Sequence, residues 1–260
     1  MLQFHDVTIS YLAGGERQIA VEGLNLRLKR GSALGVAGES GAGKSTLTRA
    51  LLGILPPHAE ISGEILYEGK NVLTMPRRER AELYGREISM VFQDPGAALN
   101  PVRRIRHQFA DILSGRVSGR HAIHEQIARA LTAVHLSEPR RVMEQYPHQL
   151  SGGMKQRVAI AAAIALSPNL LVADEPTSSL DAEVRRQIID ELIALKEGRG
   201  LSLLYISHDL AELAMVCDDI LIMKAGRVIE SGHRDEIRNA PKDPYTKALI
   251  SVAFGGASDD

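Results

Sequence analysis

The sequence is poor in cysteine and in aromatic residues: its 260 residues include one cysteine, no tryptophan and 4% aromatic side chains. A disulfide needs two thiols, and a cysteine-rich metal or iron–sulfur site needs more, so the lone Cys217 excludes such cross-links and centres within this chain. We expect a reducing compartment, and we interpret Cys217 as a small buried residue.

Long hydrophobic runs and an excess of one charge are also missing. Residues 159–166 form an apolar stretch well short of the roughly 18–20 residues that a membrane helix needs, so we expect no membrane span. The 31 basic and 32 acidic residues leave a formal net charge of −1, which gives no overall attraction to nucleic acid. The first residues lack the basic start and apolar stretch of a secretory signal. We therefore expect a cytosolic protein with no nucleic-acid partner.

Short apolar runs alternate with helical patterns through much of the chain. Apolar residues at positions 47, 50, 51 and 54 have helical spacing, and a second such pattern begins at Val184, where Asp181 is placed to cap the helix. This alternation predicts an α/β fold with a layered core around a parallel sheet. The runs that we interpret as buried strands are residues 34–37, 88–92, 170–173, 203–206 and 220–223.

Other regions depart from this alternation. Residues 94–166 have helical spacing with little strand character, which predicts an inserted helical subdomain. Alternating polar and apolar residues at 2–10, 24–29 and 62–67 predict an antiparallel β subdomain beside the core. We predict a core formed by residues 1–93 and 167–231, and a polar C-terminal tail, 232–260, with a short helix at 245–252.

A glycine-rich segment follows the strand at residues 34–37 and begins a helix. Glycines let the backbone wrap closely around phosphate oxygens, and the helix N-terminus adds positive potential there. Lys44 is placed to reach the β- and γ-phosphates, and the Ser45 hydroxyl is placed to ligate Mg²⁺. A turn that binds nothing is the alternative, but it leaves the lysine and the hydroxyl unexplained. The segment predicts ATP or GTP binding by Gly38, Glu39, Ser40, Gly41, Ala42, Gly43, Lys44 and Ser45, followed by Thr46.

Two carboxylates follow the apolar run at residues 170–173. Ligands gather at the carboxyl ends of parallel strands, which is where Asp174 and Glu175 are expected. Asp174 can hold Mg²⁺ through water, and Glu175 can polarise the water that attacks the γ-phosphate. A solvated acidic strand end is the alternative.

Ser151, Gly152 and Gly153, followed by Met154, precede a predicted helix at residues 155–166. On its own this segment predicts only a second helix N-terminus that could hold an anion. Together with the phosphate-binding loop, it resembles the signature sequence of ATP-binding cassette proteins. The resemblance implies a P-loop ATPase fold in which this second cradle serves the nucleotide of the opposing subunit. Many members carry glutamine where Met154 stands, but the phosphate contacts would come from Ser151 and Gly153.

The remaining motifs of that family follow in order along the chain. The resemblance implies that Gln93 senses Mg²⁺ and the attacking water, that the loop ending at Asp181 crosses a dimer interface, and that His208 contacts the γ-phosphate. It also implies that adenine stacks on Tyr11, for which ordinary packing is an alternative. Each of these residues alone has an ordinary structural explanation, and their order supports the resemblance. The implied catalytic residues are Glu175, His208 and Gln93, the implied magnesium ligands are Ser45, Gln93 and Asp174, and the implied cofactors are ATP and Mg²⁺.

A closer resemblance is to the ATPase subunits of peptide, nickel and opine importers. It rests on residues 92–95, 99–101, 146–154 and 244–249. It implies a second ATPase chain, with a heterodimer expected and a homodimer possible, two transmembrane permease subunits docked on 94–166, and an extracytoplasmic binding protein. The ATPase would lie peripherally on the cytoplasmic face of the inner or plasma membrane.

The sequence also bears on the cargo. Many peptide-importer subunits carry a longer tail with a cysteine cluster, which this sequence lacks, so we expect nickel or a metal chelate ahead of a di- or oligopeptide. A non-transport ATPase of the same family, such as an iron–sulfur assembly component, is the alternative of a different class. A permease that copurifies with the chain would favour transport.

Overall fold

The computed structural model of the chain describes residues 1–14 and 16–255, which form two compact units. The first unit comprises Met1–Ala81 and the described part of Ser202–Asp260, and the second comprises Glu82–Leu201. Gly15 and residues 256–260, which belong to the predicted core and tail, lie outside the described residues. The predicted division of the chain into a core (1–93 and 167–231), a helical subdomain (94–166) and a C-terminal tail (232–260) stays a prediction.

The strands and helices are numbered in chain order. The strands are β1 (Leu2–Ala13), β2 (Glu16–Leu28), β3 (Ala33–Ala37), β4 (Ala59–Tyr67), β5 (Lys70–Asn71), β6 (Ile88–Val91), β7 (Leu170–Asp174), β8 (Ser202–Ile206), β9 (Asp219–Lys224) and β10 (Arg227–His233). The helices are α1 (Lys44–Leu51), α2 (Arg77–Leu83), α3 (Pro95–Ala98), α4 (Ile105–Leu113), α5 (Arg120–Ala133), α6 (Pro139–Glu144), α7 (Gly152–Ile164), α8 (Ala182–Arg199), α9 (Leu210–Val216), α10 (Arg234–Asn239) and α11 (Pro244–Phe254), with a 3-10 turn at Pro147–Gln149.

The first unit contains an antiparallel sheet in the order β2-β1-β4-β5. Leu2 of β1 pairs with Leu28 of β2 on one side and with Tyr67 of β4 on the other, and all three side chains are buried. Alternation of buried and exposed residues in the second half of β2 shows that one face of this sheet packs inward. The antiparallel β region predicted from alternation is therefore present.

The same unit contains a second set of strands, in which β3 pairs in parallel with both β8 and β9. Every residue of β3 and of β8 is buried, which explains why these segments have continuous apolar runs instead of alternation. Strand β10 pairs antiparallel with β9. Cys217 is fully buried under β3 beside Gly35, as expected for a small core residue.

The second unit contains the parallel pair β6–β7 and most of the helices. Ile88 pairs with Leu170 and Val91 with Ala173, so both strands end at the same edge. Residues 94–166 contain helices α3 to α7 and the 3-10 turn but no strand, as their helical spacing predicts.

Three elements differ from the expectation. Strand β2 begins at Glu16 instead of near residue 24, because its first half is mostly exposed and lacks an apolar pattern. Strand β10 was not predicted, since its residues are exposed or half-buried and include Gly232. A further helix, α10, lies in the segment expected to be a polar tail, and the helix predicted at 245–252 is present as α11. Within residues 1–14 and 16–255 no helix has the length and apolar character that a bilayer crossing requires.

Candidate functional site

The glycine-rich segment forms a loop between β3 and α1 in the first unit. Gly38 and Ala42 are buried, whereas Glu39, Ser40 and Gly41 are exposed at the tip. Gly43 has φ +97°, and a Cβ atom there would lie 2.5 Å from the carbonyl oxygen of Ala20, so the close approach to β2 requires glycine. The loop therefore exposes its tip while its ends are packed against strands.

Lys44 begins helix α1 and is 5% exposed. Its Nζ donates hydrogen bonds to the carbonyl oxygens of Gly38, at 2.7 Å, and of Glu39, at 2.9 Å. Ser45 and Thr46 follow in the first turn, half-buried. The ammonium group is thus held beside the loop at the N-terminus of a helix, where backbone N–H groups and the helix dipole favour an anion.

Two further predicted residues of the first unit lie on elements next to this loop. The Tyr11 hydroxyl donates to Oγ1 of Thr46 at 3.2 Å, so β1 and the start of α1 are joined there. The Tyr11 ring also packs against the ring of His58, with centroids 5.9 Å apart. His208 is exposed just after β8, and because Val36 of β3 pairs with Ile206 of β8, His208 and the loop follow strands that end at the same edge.

The second unit brings Gln93 and Glu175 together. They follow the parallel strands β6 and β7, and Nε2 of Gln93 donates to Oε2 of Glu175 at 3.1 Å. Asp174, the last residue of β7, is 7% exposed. The amide of Gln93 can present its Oε1 to a cation, and oxygen ligands of this kind suit Mg²⁺.

The backbone of Glu175 adopts an uncommon conformation for a residue with a side chain, φ +45°. Its carbonyl oxygen accepts hydrogen bonds from the Ser178 hydroxyl at 3.1 Å and from the Ser178 N–H at 3.3 Å. These bonds hold the turn that directs the carboxylate of Glu175 toward Gln93. Conformations of this kind cluster at functional sites, where the surrounding structure maintains them.

Ser151 caps helix α7, and its Oγ accepts a hydrogen bond from the Met154 N–H at 3.2 Å. Ser151 and Gly152 are exposed. Gly153 approaches α8 so closely that a Cβ atom would lie 2.7 Å from Cγ1 of Val184. The serine hydroxyl keeps its own O–H as a donor, so this exposed helix start can face an anion.

Asp181 is the exposed N-cap of α8, and its Oδ1 accepts from the Val184 N–H at 2.9 Å, as its position in the sequence predicts. Leu180, just before it, is buried and holds the loop to the unit. Asp181 is therefore exposed on a loop that is held by the buried Leu180 on one side and by helix α8 on the other.

More than half of the chain, residues 21–178, matches the family model described as ABC transporter. The chain belongs to the ABC transporter family. This ABC protein is an ATPase, because the matched region and its relatives are those of ATP-binding transporter subunits. The resemblance inferred from the motifs and the predicted α/β fold class, with parallel and antiparallel sheets and inserted helices, are both confirmed.

Named relatives and solved structures agree with this assignment. The ABC protein is 39% identical over 243 residues to a probable peptide ABC transporter ATP-binding protein, y4tR, of Sinorhizobium fredii, covering 91% of this chain and 72% of that protein. It is 39% identical over 254 residues to the oligopeptide transport ATP-binding protein OppD of Escherichia coli, covering 97% and 75%. Its structure resembles that of the ATP-binding cassette MJ0796, solved as a dimer in a post-hydrolysis state with ADP and Pi, with a TM-score of 0.79 and 28% identity over 90% of this chain and 99% of that one.

Two residues near these motifs were not found from the sequence. Glu191 is 3% exposed on the inward face of α8. Its burial could have been predicted, because Glu191 continues the helical spacing of Ile188 and Leu195 on the buried side of that helix. Tyr245 of α11 accepts a hydrogen bond from the loop residue Glu39. The segment containing Tyr245 carries part of the family resemblance, but nothing in the sequence shows which residue Tyr245 contacts.

Proposed function

We propose that this ABC ATPase energises the uptake of oligopeptides through a membrane permease, by hydrolysing ATP between itself and a second ATPase chain. The cargo is argued from relatives named for peptide and oligopeptide transport, which give nickel no specific support. The non-transport alternative likewise has no support among these relatives. The protein would act peripherally on the cytoplasmic face of the membrane, with two permease subunits and an extracytoplasmic binding protein as its functional partners.

ATP binding is assigned to the first unit. The backbone N–H groups of the loop and the Lys44 ammonium would bind the β- and γ-phosphates, and adenine would stack on Tyr11. The 3.2 Å hydrogen bond from Tyr11 to Thr46 supports this, because it fixes the tyrosine beside the helix that begins at Lys44. His208 would contact the γ-phosphate from the edge where β3 and β8 end.

The hydrogen bond between Gln93 and Glu175 is the single observation that carries the proposal of hydrolysis. A carboxylate that acts on water must be held in one direction, and the Gln93 amide and the fixed turn after Glu175 supply that constraint. Within the second unit Asp174 and Gln93 would hold Mg²⁺, which supplies neutralising charge to the phosphates during phosphoryl transfer, and in the first unit Ser45 stays a proposed ligand from its motif alone. Gln93 would thereby link the cation and the catalytic carboxylate.

Completion of the site by a second chain is argued from the exposed start of α7. Ser151, Gly152 and Gly153 present a capped helix N-terminus to solvent, and Asp181 lies on an exposed, fixed loop of the same unit. These features would meet the nucleotide and the surface of the partner ATPase. The dimer solved for the similar cassette MJ0796 supports such an arrangement. A heterodimer is our proposal, and a homodimer would use the same residues.

Uptake measurements in cells lacking this chain test the cargo, with a labelled di- or oligopeptide and labelled nickel compared in the same strain. Restoring the wild-type chain should restore peptide uptake, whereas Lys44→Ala should not. Recovery of nickel uptake alone would overturn the peptide assignment. Purification of the tagged chain should recover a permease and a second ATPase, and recovery of a soluble complex without a permease would contradict transport.

A further inference from the structure

Tyr245, in the first turn of α11, contacts the phosphate-binding loop. Its hydroxyl oxygen accepts a hydrogen bond from the backbone N–H of Glu39 at 3.1 Å, and both residues belong to the first unit. Tyr245 lies in the segment 244–249, which carried part of the family resemblance but received no role in the proposed mechanism. The contact connects a C-terminal helix to the first turn of the loop.

The peptide group that joins Gly38 to Glu39 is held at both ends. Its N–H donates to the Tyr245 hydroxyl, and its carbonyl oxygen accepts from Nζ of Lys44 at 2.7 Å. Because a peptide group is planar, fixing the direction of its N–H also fixes the direction of its C=O. Hydrogen bonds at the two ends of one peptide also polarise each other. Tyr245 can therefore act on the Lys44 ammonium through a single rigid group.

The Gly38 end of this peptide packs closely against the end of β9. A Cβ atom on Gly38, whose φ is +152°, would lie 2.3 Å from the carbonyl oxygen of Met223 at the end of β9. The next residue, Lys224, places its Nζ 4.6 Å from the centroid of the Tyr245 ring, which is within the range of a cation–π interaction. The same strand end thus packs against the peptide and also holds the tyrosine ring.

The start of α11 is fixed as well. The carboxylate of Glu230 in β10 accepts hydrogen bonds from the N–H groups of Lys242, at 2.8 Å, and Asp243, at 3.0 Å. Asp243 in turn caps the helix, with its Oδ1 accepting from the Tyr245 N–H at 2.7 Å. Partial burial alone would raise the pKa of Glu230, but these hydrogen bonds lower it below its ordinary value, so the carboxylate is charged at neutral pH. The backbone of Tyr245 is therefore held in place by β10.

We propose that Tyr245 is a positioning residue for phosphate binding, whose hydroxyl fixes the Gly38–Glu39 peptide and, through it, the Lys44 ammonium. The inference rests on the proposed binding of ATP at this loop. Without the hydroxyl the peptide has more freedom to rotate, and binding must then order it against an entropic cost. The loss should be felt by the β- and γ-phosphates, which Lys44 reaches, and not by the nucleoside.

Tyr245→Phe keeps the ring and removes the hydroxyl. With the purified full-length chain, we expect the Kd for ATP and for ADP to rise by about 3- to 10-fold, as for the loss of one hydrogen bond. The Kd for AMP, which lacks the phosphates that Lys44 reaches, should not change. An unchanged Kd for ATP, or an equal rise for AMP, would overturn the proposal, because a general loss of structure weakens all three nucleotides alike.

Two further variants separate the hydroxyl from the rest of the contact. Lys224→Met removes the charge over the ring and keeps the hydroxyl, so its effect on ATP affinity should be smaller than that of Tyr245→Phe. Glu230→Gln loosens the start of α11 and should weaken ATP binding in the same direction as Tyr245→Phe. The double variant of Glu230 and Tyr245 should be less than additive if both act through one contact, and full additivity would contradict the proposal.

The proposed function has its own control in the same titrations. A wild-type chain that does not bind ATP, or a Lys44→Ala chain that binds it as wild type does, would contradict the proposed binding of ATP at this loop. A Tyr245→Phe chain that binds ATP like wild type, while Lys44→Ala does not bind, would remove only the role of Tyr245.

Discussion

Glu191 of α8 lies 3.1 Å from Arg157 of α7, measured between Oε1 and Nη2. The Glu191 side chain is 3% exposed and that of Arg157 is 17% exposed. The alignment of the two groups does not make a hydrogen bond, and among the described residues neither carboxylate oxygen of Glu191 accepts one. Burial therefore raises the pKa of Glu191 from 4.5 to about 7, although the charge of Arg157 opposes the shift.

This pKa makes the stability of the ABC ATPase depend on pH. Between pH 4.5 and about 7 the folded chain keeps a proton on Glu191 that the unfolded chain has lost, so the free energy of unfolding falls as the pH rises. Below that range both states are protonated, and above it both are ionised. The loss across the range is on the order of 3 kcal/mol at most. Glu191→Gln should remove most of this dependence and raise the denaturation midpoint at pH 8, measured by urea unfolding at several pH values.

Glu183→Gln is the matched control for that experiment, because Glu183 lies in the first turn of the same helix and is exposed. Its pH profile should follow the wild-type profile. A Glu191→Gln chain that loses stability between pH 5 and 7 as steeply as the wild-type chain would show that another group titrates there.

The sequence predicted those parts of the fold whose pattern reports burial directly. Strands β3 and β8 are buried along their full length, and residues 34–37 and 203–206 within them are continuous apolar runs in the sequence. The cap at Asp181 was predicted because capping depends on a residue and its immediate neighbours. Strand β10 could not be predicted in this way, since its stability comes from pairing with β9 and its own residues show no clear alternation.

In the candidate site, too, features encoded by neighbouring residues were predictable and contacts between distant residues were not. The loop residues and the carboxylates belong to local motifs, so their positions at strand ends were predictable. The contact between Tyr245 and Glu39 joins residues that are 206 positions apart, and no local pattern encodes such a pairing. The burial of Glu191 could be predicted from its place on the apolar face of α8. Its pairing with Arg157 could not, because it depends on how α7 packs against α8.

Gly43 and Gly41 give a paired test of the loop. Both have positive φ, +97° and +82°, but a Cβ atom on Gly43 would lie 2.5 Å from the Ala20 carbonyl oxygen, whereas one on Gly41 would meet nothing within 4 Å. Alanine at either position raises the conformational energy of this left-handed backbone by roughly 1–2 kcal/mol. Gly43→Ala must also displace the loop from β2, so its ATP affinity should fall about tenfold further than that of Gly41→Ala, measured by calorimetric titration. Equal affinities in the two variants would show that the approach to Ala20 is unimportant for nucleotide binding.

Glu175→Gln tests the assignment of the catalytic carboxylate with little change in structure. The carbonyl oxygen of the new amide can still accept the hydrogen bond that Gln93 now donates to Oε2, so the local geometry should persist while the negative charge is lost. We expect ATP to bind within about threefold of the wild-type affinity and the rate of phosphate release to fall by roughly 10²-fold or more.

Gln93→Ala is the comparison that separates the carboxylate from its orientation. It removes the amide that orients Glu175 and that is proposed to contact Mg²⁺, but it keeps the negative charge that polarises the attacking water, so the rate should fall less than in Glu175→Gln. ATP trapped without turnover should also keep the Glu175→Gln chain associated with its partner ATPase in size-exclusion chromatography. Near-normal hydrolysis by Glu175→Gln would remove Glu175 from the catalytic role, and a larger loss in Gln93→Ala than in Glu175→Gln would show that Gln93 does more than orient the carboxylate.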